Sequence, residues 1–138
     1  MSTFAEYFKK EPLELAEELI ENYIIPIPDK SIETLEELQV YTRIMNELVN
    51  NWSFLQSLLA VGKIYVRNAE RNANKRLNNN LPIDELNKRK REYEDMIDRQ
   101  YAIQRVADIV LESKNAISRN ITSKQITNKE LESLGGIT

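Results

Sequence analysis

The sequence predicts an all-α protein: a long two-helix hairpin with a coiled-coil-like seam, plus short N- and C-terminal helices. Three observations point there. Glycine and proline number only three and four in 138 residues, too few for the turns of an all-β fold. Leu38, Tyr41, Met45, Leu48, Trp52, Leu55, Leu59, Gly62, Val66, Ala69 and Ala73 follow one another at unbroken 3-4 spacing, the a/d signature of a helical seam. One cluster of breakers, Asn78 to Pro82, separates that run from a second apolar-periodic stretch and supplies the hairpin turn.

The elements follow in order. Thr3 and Glu6 have the form of a capping box and open a first short helix. Pro12 suits the first turn of a helix over residues 12–23. Its apolar stripe is Leu13, Ala16, Leu19, Ile20 and Tyr23, opposite Glu14, Glu17, Glu18 and Glu21. From Ile24 to Asp29 two prolines push their preceding residues toward extended conformations. That connector packs its isoleucines on the rest of the chain. Residues 1–30 therefore read as an acidic helical arm with a proline-containing connector.

The hairpin covers residues 31–121. Ser31 or Thr34 starts its first helix, with Thr34 and Glu37 as a second capping box. A helix of about 40 residues is roughly 60 Å long. Its seam shrinks toward Gly62, Ala69 and Ala73, which permits close helix approach. Asp84 caps the second long helix, expected over about 84–120, with Leu86, Tyr93, Met96, Ile97, Tyr101, Ile103, Val106, Ala107, Val110, Leu111, Ile117 and Ile121 as its apolar positions. Residues 122–138 form a separate short helix capped by Thr127 and Glu130, then a tail at Gly135 and Gly136. The stripe from Met96 to Ile121 is wider than a two-helix seam requires. It predicts a homo-oligomer larger than a dimer, with Met96, Ile103, Val106, Val110, Ile117 and Ile121 at the interface.

Composition excludes several function classes. The chain holds no cysteine and no histidine, so thiolate metal sites, disulfides and the commonest general base are missing. No glycine-rich phosphate loop exists. An enzyme is not expected, and neither is a cofactor or a metal. No apolar run is long enough to span a bilayer, and the acidic, amphipathic start is unlike a secretory signal. A cytoplasmic protein is expected, with no membrane partner.

Charge is segregated along the chain. Net charge is −3, yet residues 1–62 hold four Lys/Arg against eleven Asp/Glu, and residues 63–91 hold nine against three. Lys63, Arg67, Arg71 and Lys75 recur every four residues and share one helix stripe, which Arg76 extends. Beyond the turn come Lys88, Arg89, Lys90 and Arg91. A chain that folds back at Asn78–Pro82 brings both clusters to one end. A charge run is usually a solvated face, but such a face alternates in sign, and here only Glu70, Asp84 and Glu85 oppose nine cations. Anion binding, with nucleic acid as the expected ligand, therefore fits better. Tyr65 lies between Lys63 and Arg67, and Tyr93 follows the second run. Cations that track a backbone beside aromatic rings suit single-stranded nucleic acid read without sequence preference. Packing at the rim of the core is an equal alternative for both tyrosines, and Trp52 is read as core.

Two stretches carry a resemblance. Leu59-Ala-Val-Gly-Lys63-Ile-Tyr-Val-Arg67-Asn-Ala-Glu-Arg71 is similar to the basic stretch that the UvsY family, recombination mediators of large tailed phages, uses on single-stranded DNA. Tyr101-Ala-Ile-Gln-Arg-Val-Ala-Asp-Ile-Val-Leu-Glu-Ser-Lys-Asn-Ala-Ile-Ser118-Arg119 resembles that family's apolar C-terminal helix, associated with self-assembly. The resemblance covers roughly residues 40–125 and leaves the acidic arm and connector unmatched. It implies a non-enzymatic homo-oligomer in the host cytoplasm that binds single-stranded DNA, contacts a single-strand-binding protein and helps load a strand-exchange recombinase. Lys63, Arg67 and Arg71 would lie first on the DNA, with Lys75 and Arg76 extending the track; the charge and aromatic spacing, not the resemblance, adds Tyr65, Lys88, Arg89 and Arg91 as nucleic-acid-binding candidates. The alternative is a helical adaptor, scaffold or protein-inhibitor coiled coil in which the seam and the acidic arm carry function.

Overall fold

Four helices follow one another: α1 (Phe4–Tyr7), α2 (Pro12–Tyr23), α3 (Leu35–Ala73) and α4 (Ile83–Gly135), with no strand among the described residues. The computed structural model describes residues 3–74, 77 and 79–135, with side chains up to Lys124. The long helices α3 and α4 pack as a hairpin, and α2 lies against α4.

Local chemistry sets the α3 start as the sequence indicates. Thr34 Oγ1 accepts a hydrogen bond from the Glu37 amide at 3.1 Å, and Glu37 reaches back to the Glu33 amide at 3.2 Å. Both side chains therefore satisfy amides at the helix start that have no partner within the helix. Pro12 opens α2 after Glu11. At α1, Thr3 occupies the cap position but its side chain makes no capping bond, so the first capping box is not formed. Asp84 falls inside the first turn of α4 rather than before it, where its charge still favours the positive helix end.

The seam of α3 is largely as read. Leu48 and Leu55 are wholly buried, with Tyr41, Leu59 and Gly62 close behind. Trp52 is only partly buried, while Leu58, outside the 3-4 series, is wholly buried. Leu58 lies one helical turn beyond Phe54, whose ring meets the arm's Phe4, Tyr7 and Tyr23. Leu15 and Leu19 of α2 have no exposed surface, whereas Leu13 is 72% and Ile20 49% exposed. The buried stripe of α2 is thus rotated from the expected one.

Gly62 brings the hairpin together through a side chain. A Cβ there would lie 1.7 Å from Gln100 Oε1. Without one, Gln100 seats against α3 and its Nε2 donates to the Leu59 carbonyl at 3.1 Å.

Two expectations for α4 are corrected. The helix does not stop near residue 121; its backbone continues to Gly135. No glycine or proline lies between Ile83 and Leu134, so nothing breaks it, and the Thr127–Glu130 signal sits within a continuing helix. The second concerns where the wide stripe lies. Ile103, Val106, Val110, Ile117 and Ile121 are buried within the chain's own core, and Met96 is packed against it. The stripe is wide because α2 and α3 both rest on it. Five of the six are therefore enclosed by the chain itself, and Met96 is partly exposed at the border of a groove. By contrast Ile97 and Tyr101, expected in the same stripe, are 41% and 77% exposed.

The arm is held by specific contacts. The Phe54 ring meets Phe4, Tyr7 and Tyr23 at centroid distances of 5.6, 5.8 and 5.1 Å, within the range of favourable ring pairs. Buried Arg99 of α4 donates from Nε to the Lys10 carbonyl at 2.6 Å. Asn51 reaches the Tyr23 carbonyl at 3.2 Å, and the Tyr41 hydroxyl reaches the Lys30 carbonyl at 2.5 Å. Ile32 is buried, and Ile24, Ile25 and Ile27 are partly so, as expected for a connector that packs.

Candidate nucleic-acid interface

The hairpin is antiparallel, so the C-terminal end of α3 and the start of α4 lie together. A hydrogen bond of 3.4 Å from Arg89 Nη1 to the Asn72 carbonyl ties them. Lys63, Arg67 and Arg71 are exposed on α3, and Lys88, Lys90 and Arg91 are exposed on α4. Both basic clusters thus reach the turn end, as the sequence indicates. Lys63, Arg67 and Lys88 form no ion pair among the described residues. Lys75 and Arg76 lie outside the described residues.

Other residues expected at the interface are engaged inside the molecule. The Tyr65 ring stacks on Phe8 with centroids 4.8 Å apart, so the arm takes one of its faces, while the half-buried ring also borders a groove beside Asn72 and Arg89. Half-buried Arg89 places Nε 3.3 Å from Glu85 Oε1 and also holds Asn72. Its guanidinium joins the two helices. Lys90 and Arg91 line a shallow polar groove that also contains Asp84 and Glu94, so their field is partly offset. Tyr93 is half-buried. Lys63 and Arg67 on α3, with Lys88 on α4, are thus exposed cations that no carboxylate pairs among the described residues.

Lys63 also borders an open groove of about 470 Å³ lined only by α3 and α4 residues. Gln56 and Ala60 from α3, and Ile97, Tyr101 and Gln104 from α4, form its walls. Sequence periodicity missed this groove, because it assigned Ile97 and Tyr101 to the buried stripe. Exposed Leu13, Ile20, Glu14, Glu17 and Glu21 give α2 an acidic outer face.

Within the arm, charge pairs form around Lys10. The Lys10 ammonium lies 3.1 Å from Glu18 and 3.8 Å from Glu14. The Glu18 hydrogen bond, then its charge, raise Lys10 above its ordinary pKa. Burial, then the 3.2 Å hydrogen bond to Tyr7, raise the Tyr23 hydroxyl well above the ordinary tyrosine value. No described helix is long and apolar enough to cross a membrane. No protein-family model, curated protein or solved structure matches this chain.

Proposed function

We propose that this chain is a non-enzymatic protein that binds single-stranded nucleic acid at the turn end of the α3–α4 hairpin. The observation that carries the reading is the exposed α3 stripe. Lys63 and Arg67 project one helical turn apart into solvent, with no carboxylate paired to either among the described residues. Lys88 adds an exposed cation from α4. Phosphates neutralised by such residues release condensed counterions, which gives sequence-independent affinity.

The resemblance to the UvsY family narrows the reading to a recombination mediator that helps load a phage recombinase, with a single-strand-binding protein as a further contact. Self-association belongs to the same proposal. It must use exposed surface, because Ile103, Val106, Val110, Ile117 and Ile121 are inside the core.

A second reading, an adaptor or inhibitor that docks on a protein, is favoured by the α2 face. There Leu13 and Ile20 are exposed among Glu14, Glu17 and Glu21. Anisotropy of labelled oligo-dT at about 50 mM and about 200 mM salt separates the two. Nucleic-acid binding requires a complex that weakens steeply between those salts. Absence of binding at the lower salt overturns it in favour of the adaptor.

A further inference from the structure

We propose that Tyr101 is the base-stacking platform of this protein, and that the groove beside it seats one unpaired base of a single strand. The proposal rests on the nucleic-acid reading above and adds a site to it. Sequence placed the aromatic partner at Tyr65, but Phe8 already covers one face of that half-buried ring. Tyr101 is the opposite case. It is 77% exposed, and it lies two residues from Ile103, whose side chain is fully buried on a different face of α4. An exposed tyrosine on a regular helix gains little from burial, so its ring is available to a ligand.

The surroundings suit a nucleotide. Lys63, first residue of the cationic stripe, borders the same groove, so a phosphate held there leaves its base within the region of the ring. Ile97 and Ala60 give the groove apolar walls, and Gln56 and Gln104 supply amides at its edge. Every base has a π-face, so stacking on Tyr101 needs no particular sequence. The Gln104 amide is held by Asp108 at 2.8 Å, which fixes one wall. A strand following Lys63, Arg67 and the turn end would enter this groove as its inner terminus.

The test uses the full chain and oligo-dT. Tyr101→Ala should weaken binding by roughly 5- to 150-fold, the effect of losing one stacked base. Its salt slope should match the parent's, because no phosphate contact is lost. Tyr101→Phe should bind like the parent. Tyr101→Trp in a Trp52→Phe background should show emission quenching on binding, since Trp52 is the sole natural tryptophan. Tyr101→Ala with parental affinity, while Lys63→Ala weakens binding, would overturn the stacking site and leave the phosphate reading standing. Parent protein that binds no single strand overturns both. Quenching absent despite tight binding also rejects the platform.

Discussion

Leu13 and Leu15 lie two residues apart on α2, and truncating each to alanine separates two registers for that helix. Leu15 has no exposed surface and belongs to the central core cluster; Leu13 is 72% exposed. Removing a fully buried leucine side chain costs about 2–5 kcal/mol, the lost transfer energy plus a cavity. An exposed surface change stays within about 0.5 kcal/mol. A chain of this length has roughly 7–20 kcal/mol of stability, at about 0.05–0.15 kcal/mol per residue. Leu15→Ala should therefore still fold, with its urea midpoint lowered by about 1–2.5 M for an m-value near 2 kcal/mol per M. Far-UV circular dichroism during urea unfolding reads both variants, and amide exchange tests whether α2 opens by itself. Equal costs for the two truncations, or a larger one for Leu13→Ala, would refute the docked register of the arm.

Val110→Glu places a charge among fully buried side chains. It should abolish cooperative unfolding, whereas a folded variant with only an altered mass in light scattering would show the stripe to be an intersubunit surface. Alkaline pH should loosen the arm. Lys10 and Tyr23 both have raised pKa values, so each favours folding below its unfolded value near 10, and that contribution is lost as pH rises through the folded values. Near-UV circular dichroism should change above about pH 10 while helix content persists in α3 and α4; an arm signal constant to the end of tyrosine titration would contradict this.

Residue spacing made α3 legible because 39 residues without a proline, opened by Thr34 and Glu37, leave few alternatives. On α2 it was insufficient. Pro12, Ala16, Leu19 and Tyr23 suit either of two overlapping stripes, one through Leu13 and Ile20 and one through Leu15. Only the neighbours on α4 decide between them. The width of the α4 stripe was a sound signal, but width does not say whether the third surface comes from another subunit or from α2. The cations of α3 could be placed at the surface from their i+4 spacing. The stacking of Phe8 on Tyr65 could not, because that contact joins residues far apart in the chain. Gln100 and Arg99 carried no pattern at all, since each acts through a single carbonyl on a distant element.

The central claim is that the α3 stripe binds phosphates, and the Lys63→Ala, Arg67→Ala double variant tests it most directly. Both residues are exposed, away from the buried seam, so thermal unfolding should match the parent. Each phosphate contact on a single strand contributes about 0.7 to the slope of log K against log salt. Oligo-dT titrations across a salt series should show weaker binding and a slope reduced by about 1.4. Parental affinity with an unchanged slope would make the stripe a solvated face and leave the protein-docking reading in its place.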